Sequence, residues 1–170
     1  MANRFDSMLA HGKGAVKQFQ ARLEGLVGVF ATLARQHGEV TALLERCRGH
    51  RDRRAALWPE IRKQLLAHER SEMRVLYPEL RLHDATRTLA DHHDEEAREL
   101  EGMIGKLDAE PIDSEVWGQL FDKLIEDVVF HAREEEKQIF PAAQKTLGDA
   151  RSRALEPTLV AANRQMIDAV

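Results

Sequence analysis

The chain has 170 residues, of which 43% are hydrophobic and 32% charged, and its formal net charge is −4. This length suits one domain with a substantial core, and the slightly negative charge, without a Lys/Arg block, speaks against a nucleic-acid partner. Cys47 is the single cysteine, which excludes an intrachain disulfide and a cysteine zinc site. The sequence shows neither the apolar core of a signal peptide nor a membrane-length apolar run, so we expect a cytoplasmic protein with no membrane partner.

Apolar residues follow a heptad from Leu9 to Cys47, which predicts helix over that stretch. The glycines at 12, 14, 25 and 28 are the places where this helix is expected to break. His37 lies on the buried row of the heptad, where it is the only strongly polar residue. Cys47 ends the other row and is expected to be a core residue.

Four more helices are predicted downstream, over about residues 53–78, 85–108, 114–141 and 150–168. Asp113 or Ser114 is the expected N-cap of the helix that starts near residue 114. No segment shows the sustained alternation of a strand. The predicted fold is therefore all-α, an antiparallel up-down-up-down four-helix bundle with N- and C-terminal helical extensions.

The pattern divides the chain into an N-terminal helical extension (1–29), the bundle (30–142) and a C-terminal helix (143–170). The heptad in the first part needs a partner surface, which is either the last helix or a second copy of the chain. We therefore expect a homodimer that forms through the N- and C-terminal helices.

The second and fourth predicted helices repeat each other at an offset of 63 residues. Both read H-x-x-x-E-x-x-x-(L/I)-(Y/F)-P, with His68 and Glu72 in one copy and His131 and Glu135 in the other. One His–Glu pair of this spacing is typical of a surface ion pair on a helix. Ten aligned positions, two of them polar on an apolar face, indicate instead that both pairs point into the bundle.

The first and third predicted helices repeat more faintly, at an offset of 56 residues that pairs His37 with His93 rather than with His92. Each of the four helices then supplies one inward histidine at a similar distance from the intervening turn, so the side chains can share one layer. Tyr77 and Phe140, which end the two stronger repeats, are expected to close the bundle end rather than to take part in redox chemistry.

Four imidazoles and two carboxylates buried in one layer require compensation, which a metal supplies. A single histidine on an apolar face is more typical of a hydrogen-bonded core residue, so the prediction depends on the repeat. Imidazole with carboxylate suits iron, manganese or zinc, and two carboxylates on facing helices can bridge two ions. The predicted ligands are His37, His68, Glu72, His93, His131 and Glu135, with Glu69, His92, Glu96 and Glu136 as candidate additional ligands.

These motifs resemble the hemerythrin-like (HHE cation-binding) family over about residues 30–142. The resemblance is carried by the His of RQHGEV, by HERSEMRVLYP, by the His of DHHDEE and by HAREEEKQIFP. It implies two iron ions in an up-down-up-down bundle, bridged by an oxo or hydroxo group and by two carboxylates. The implied terminal ligands are His37, His68, His93 and His131, and the implied bridges are Glu72 and Glu135.

One position departs from the oxygen-carrying hemerythrins, which have a further histidine one turn after that of the third helix. Here that position is Ala97, with Glu96 beside it. The departure speaks against reversible oxygen carriage and favours a protein that binds or senses iron and O2, NO or peroxide. Two alternatives stay open, a di-iron redox enzyme that consumes peroxide or nitric oxide and an interaction module that the metal only holds together.

Overall fold

A computed structural model describes residues 25–169 as helices joined by short connections, with no strand among these residues. The all-α prediction is confirmed for this part of the chain. The helices are α1 (Val29–Gly49), α2 (Arg54–Val75), α3 (Tyr77–Leu80), α4 (Asp84–Ala109), α5 (Glu115–Glu134) and α6 (Phe140–Ala169). A 3₁₀ turn (Arg51–Arg53) precedes α2, and one π-helical turn (Glu135–Ile139) joins α5 to α6. None of the described helices has the length and apolar composition that a membrane crossing needs.

In the part of the heptad that the structure describes, the predicted helix breaks at Gly25 and Gly28. Gly25 and Gly28 have φ angles of 91° and 57°, in the left-handed region that residues with a Cβ rarely adopt. A Cβ at Gly28 would also overlap the backbone carbonyl of Ser152, so α6 approaches the chain closely there. α1 therefore begins at Val29, and the predicted helical residues 9–24 lie outside the described residues.

Single residues also determine where α5 begins and where α6 is interrupted. The Ser114 hydroxyl oxygen accepts a hydrogen bond from the backbone N–H of Trp117 at 3.0 Å, so Ser114, one of the two expected residues, is the N-cap of α5. Such a cap stabilises a helix by about 1 kcal/mol. α6 is interrupted at Gly148, where φ is 78°, and the predicted last helix corresponds to its second half.

The buried apolar side chains form two separate clusters. The tryptophan cluster is built by α1, α2, α4 and α5 around Trp58, whose ring meets the rings of Trp117 and Phe121 edge-on, and it includes the buried Cys47. The tyrosine cluster is built around Tyr77 of α3 and includes residues of α1, α4 and α6, together with Leu76 at the end of α2. Each large side chain fully buried in such a cluster stabilises the fold by roughly 1.5–3 kcal/mol.

A polar layer separates the two clusters. On α1, His37 lies between Ala34 of the tyrosine cluster and Val40 of the tryptophan cluster. On α2, Glu72 precedes Leu76 of the tyrosine cluster and follows Leu66 of the tryptophan cluster. The apolar clusters on both sides fix the helices, and the helices in turn hold the polar side chains of the layer in place.

Candidate metal centre

Two copies of the repeat supply most of the layer, and we call them the α2 arm (residues 57–78) and the α5 arm (residues 120–141). Because side chains four apart on a helix share a face, His68 and Glu72 point together from the α2 arm, and His131 and Glu135 from the α5 arm. α1 and α4 complete the layer from the other sides. The structure thus brings the six predicted ligands together, and their role as ligands stays a prediction.

The first group of candidate ligands consists of His37, His68, Glu72 and Glu135, all of which are buried. One ligand atom from each lies within 4.8 Å of those of the others. The Nε2 atoms of His37 and His68 are 3.0 Å apart, and His37 Nε2 is 3.1 Å from Glu135 Oε2. Four donor atoms that converge from α1, α2 and the π-helical turn form a compact cage of two imidazoles and two carboxylates.

The second group consists of Glu69, Glu72, His93 and His131, whose ligand atoms also lie within 4.8 Å of one another. His93 Nε2 is 3.6 Å from an oxygen of Glu69 and 3.6 Å from an oxygen of Glu72. His131 Nε2 is 3.5 Å from Glu69 Oε1 and 3.4 Å from Glu135 Oε2. Glu72 belongs to both groups, and Glu135 faces both.

Several of the buried donor atoms in the described part of the chain have no hydrogen-bond partner and would be satisfied by a metal ion. Among the described residues, both oxygens of Glu72, both ring nitrogens of His93 and Nε2 of His131 have no hydrogen-bond partner. A buried polar atom left in that state costs about 1–3 kcal/mol. Imidazole and carboxylate are ligands that iron, manganese and zinc accept, so a metal would satisfy these atoms together.

The two repeated histidines have opposite protonation preferences. Burial lowers the pKa of His68 well below its usual value, and the neighbouring His37 lowers it further. Burial alone would also lower the pKa of His131, but the carboxylate of Glu135 and a hydrogen bond to Glu96 outweigh it and raise the pKa to about 10. At neutral pH without metal, His68 is therefore neutral and His131 is charged.

The three central carboxylates cannot all be ionised at once. Burial raises the pKa of Glu69 to about 7, and burial with the charge of Glu135 raises the pKa of Glu72 well above its usual value. Burial opposes ionisation of Glu135 as well, but the charge of His131 and a hydrogen bond from His37 hold its pKa well below the usual range. Carboxylates forced together in this way are typical of a site that a cation completes.

Two of the candidate additional ligands contact the Nδ1 side of an imidazole ring and do not face the ligand atoms of the two groups. Glu136 Oε1 is 3.0 Å from Nδ1 of His37, and Glu96 Oε2 is 3.2 Å from Nδ1 of His131. A carboxylate at Nδ1 fixes the ring orientation and leaves Nε2 to face the group. Glu69 differs from both, because its oxygens face the second group directly.

The third outer partner is Gln36, which sequence reasoning missed. Its side-chain oxygen lies 2.9 Å from Nδ1 of His68, where a carboxylate lies on His37 and His131. Gln36 precedes His37 on α1 and belongs to neither repeat, so no pattern in the sequence singles it out.

The aromatic residues that end the arms contact the histidines directly. Tyr77 stacks on His93 at a centroid distance of 3.6 Å, and Phe140 stacks on His37 at 5.8 Å. The Tyr77 hydroxyl also donates a hydrogen bond of 2.5 Å to Glu135 Oε1. Both rings are buried in the tyrosine cluster, as expected of residues that close the bundle end, and Tyr77 is in addition a polar partner of the site.

The remaining candidate lies outside both groups. His92 has a side chain that is 70% exposed and an Nε2 atom 3.5 Å from Glu96, so it forms a surface pair on α4. Ala97, one turn after His93, is buried and offers no ligand atom. Beside His93 in the second group, a carboxylate oxygen is supplied by Glu69 of the neighbouring helix α2.

Comparison with protein families identifies a matching family model. The model described as the Hemerythrin HHE cation binding domain matches residues 28–143, which is more than half of the chain and contains both groups. Comparisons with curated proteins and with solved structures give no significant match.

Proposed function

The chain belongs to the hemerythrin HHE cation-binding domain family, and from that membership and the geometry of the two groups we propose that it binds two iron ions. His37 and His68 would hold one ion, and His93, His131 and Glu69 the other. Glu72 and Glu135, which face both groups, would bridge them. The observation that carries the proposal is that two groups of buried donor atoms share Glu72, and that in the described residues the Glu72 oxygens, the His93 nitrogens and His131 Nε2 have no hydrogen-bond partner.

We further propose that the protein binds or senses O2, NO or peroxide at this centre. When bound, an iron pair supplies electrons to such small molecules. In the second group Ala97 offers no imidazole and Glu69 of α2 supplies a carboxylate, so an ion held there would have more oxygen donors. Oxygen donors favour reaction with the small molecule over its reversible carriage. The carboxylates of Glu136 and Glu96 contact Nδ1 of His37 and His131 and hold these two rings in orientation.

Metal analysis with optical spectroscopy tests the proposal. Iron-loaded wild type is expected to contain about two irons per chain and to show an oxo-bridge absorption. The double variant His68→Ala, His131→Ala is expected to lose both signals, whereas the control His92→Ala, at an exposed position outside both groups, keeps them. A stable wild-type protein that takes up no metal would contradict the proposal.

A di-iron redox enzyme is the second candidate, and the carboxylate-rich second group is what favours it. Steady consumption of peroxide or nitric oxide by the iron-loaded protein, abolished in the same double variant, would establish the enzyme. Oxygen uptake that reverses fully under vacuum would favour carriage instead. An interaction module would bind metal and gain stability from it without reacting with any of these molecules.

The topology and assembly belong to the same proposal. Short connections between α1 and α2 and between α4 and α5 support an up-down-up-down order of the four site-bearing helices. The heptad before residue 25 and the exposed Val160 of α6 support a homodimer through the terminal helices. Sedimentation equilibrium at high micromolar concentration is expected to give twice the chain mass, and a strictly monomeric mass would contradict the dimer.

A further inference from the structure

A large cavity lies between α1, α2, α4 and α5 and reaches the polar layer. Its volume is about 610 Å³, and His37, His68, Glu69 and His131 are part of its wall. Other parts of the wall are exposed to solvent, because Phe130 is 62% exposed and Gly102 and Lys106 are exposed as well. The cavity therefore connects the surface of the protein with the edge of the candidate metal centre.

The cavity is far larger than a diatomic ligand requires. A water molecule takes roughly 30 Å³ of liquid, and a diatomic gas is of similar size. The volume instead falls within the range of about 300–1,000 Å³ that is typical of pockets for small organic molecules. The space exceeds what the proposed O2, NO or peroxide ligand would fill.

Most of the surface of the cavity wall is apolar, although polar and charged side chains contribute to it as well. The apolar part comes from aliphatic side chains and methionine, those of Val40, Leu65, Leu100, Met103, Leu124 and Val128. Phe130, which is more exposed than a large aromatic side chain usually is, extends this apolar wall to the solvent. Apolar walls favour ligands whose own surface is apolar, because that surface leaves water on binding.

The charges around the cavity are of both signs and partly paired. Lys123 forms an ion pair with Asp127, and Glu96 forms one with His131. Lys106 and Glu99, of opposite sign, are the other charged residues of the exposed wall. Because neither sign dominates, the wall does not select an anionic or a cationic ligand.

We propose that this cavity binds an uncharged, largely apolar organic molecule, one end of which lies beside Glu69 and His131. This inference goes beyond the proposed metal function and does not depend on it, because the apolar residues of the wall are not among the candidate metal ligands. The molecule would therefore lie beside two of the residues that form the second group.

Two glycines of α4 provide a matched test. Gly102 lines the cavity and Gly105 does not, yet both are exposed in the same helix, and a Cβ at either position would meet nothing within 4 Å. Replacing either one removes a residue that disfavours helix by about 1 kcal/mol. Gly102→Phe is therefore expected to fill the cavity without removing any existing contact, and Gly105→Phe adds the same side chain outside it.

The experiment measures Nile red fluorescence and its displacement by 1-decanol, on full-length protein in metal-free and in metal-loaded form. Wild type is expected to bind one Nile red per chain and to release it to 1-decanol. Gly102→Phe is expected to weaken both affinities at least about tenfold, which corresponds to about 1.4 kcal/mol, whereas Gly105→Phe changes them less than twofold. Gly102→Leu places a smaller side chain in the cavity and is expected to weaken binding to an intermediate degree. It replaces Gly102→Phe in the test if circular dichroism shows Gly102→Phe to be unfolded.

Charged analogues test the chemical class. Decanoate and decylamine are expected to displace Nile red more weakly than 1-decanol does. No saturable binding by wild type, equal effects of the two phenylalanine variants, or a clear preference for a charged analogue would overturn the proposal. A protein that binds 1-decanol but takes up no metal would contradict the metal function alone.

Discussion

The α2 arm and the α5 arm follow the same sequence pattern but differ in the residues that the repeat does not share. The α2 arm carries Glu69 where the α5 arm has Ala132, and the α5 arm carries Glu136 where the α2 arm has Met73. Glu69 faces the second group directly, whereas Glu136 lies behind an imidazole of the first group. The shared residues thus position the centre between the arms, and the unshared carboxylates make its two halves chemically different.

The two arms also differ in backbone. The α2 arm is α-helical through Val75, and Tyr77 begins the separate short helix α3. The α5 arm contains a π-helical turn over Glu135–Ile139, and its site carboxylate, Glu135, is the first residue of that turn. Single π turns within α-helices frequently mark functional sites, and here the turn contains both Glu135 and Glu136.

The largest effect is expected from removing the carboxylate that the two groups share. Glu72→Ala is expected to lower the bound metal from about two ions per chain to well under one, because both groups lose a ligand. Glu69→Ala makes the α2 arm like the α5 arm at that position and is expected to cost only one ion. Elemental analysis after iron loading measures both, with the exposed Glu95→Ala as control. Equal metal loss from the Glu69 and Glu72 variants would contradict two distinct groups.

A second large effect concerns protons, since the repeated histidines differ in charge. His131, with its pKa raised to about 10, carries a proton at pH 7 that a metal ion must displace, whereas His68 with its lowered pKa carries none. Raising the pH toward 10 removes that proton beforehand, so metal affinity is expected to rise with pH. Calorimetric titration of metal in two buffers of different ionisation enthalpy counts the protons released. His131→Ala is expected to release about one proton fewer than wild type, and an unchanged count would contradict this assignment.

An intermediate effect is expected from making the aromatic ends of the arms alike. Tyr77→Phe gives the α2 arm the ring that Phe140 has in the α5 arm and removes the hydrogen bond to Glu135. The free energy of unfolding of the metal-free protein is expected to fall by about 1–3 kcal/mol, because a buried carboxylate oxygen loses its donor. Urea denaturation measures the change. Phe130→Leu, at a largely exposed position, is the control, with an expected change within about 0.5 kcal/mol. Equal changes in the two variants would show that the hydroxyl contributes nothing.

The smallest effect is expected where α3, at the end of the α2 arm, is joined to α6. Arg151 donates two hydrogen bonds of 2.7 and 2.8 Å to Glu79, and they hold the pKa of Glu79 below its usual value. Because half of the Arg151 side chain is exposed, Glu79→Gln is expected to cost less than about 1 kcal/mol.

The pH dependence of that pair has a definite sign. A carboxyl whose pKa is lower in the folded than in the unfolded state stabilises the fold above the unfolded pKa and loses this contribution as the pH falls through the folded pKa. The difference in unfolding free energy between wild type and Glu79→Gln is therefore expected to be present at pH 7 and to vanish in acid. A difference that grows as the pH falls would contradict the pairing.

The sequence predicted the helices and the polar layer because both depend on which residues share a helix face. His68, Glu72, His131 and Glu135 could be placed together because the repeat put polar residues at the same positions of an apolar stripe. For the break before α1, the sequence offered four glycines as candidate positions and could not choose among them. The close approach of Gly28 to Ser152 is a contact between distant parts of the chain, which local sequence does not encode.

Other features depend on packing that no spacing encodes. The hydrogen bond from Tyr77 to Glu135 joins residues of different arms, and the contact of Gln36 with His68 joins different helices. Glu69 was only one of four candidate additional ligands, and its orientation toward His93 follows from how α2 packs beside α4. The cavity arises in the same way, because it is the space that four helices leave between them.

Anomalous diffraction at the iron edge from crystals of iron-loaded protein tests the central claim most directly, that the arms enclose two ions. Two anomalous peaks per chain are expected, one among the ligand atoms of His37 and His68 and the other among those of Glu69, His93 and His131, with Glu72 in contact with both. A single peak, peaks elsewhere on the molecule, or none in protein that had been loaded with iron would contradict it.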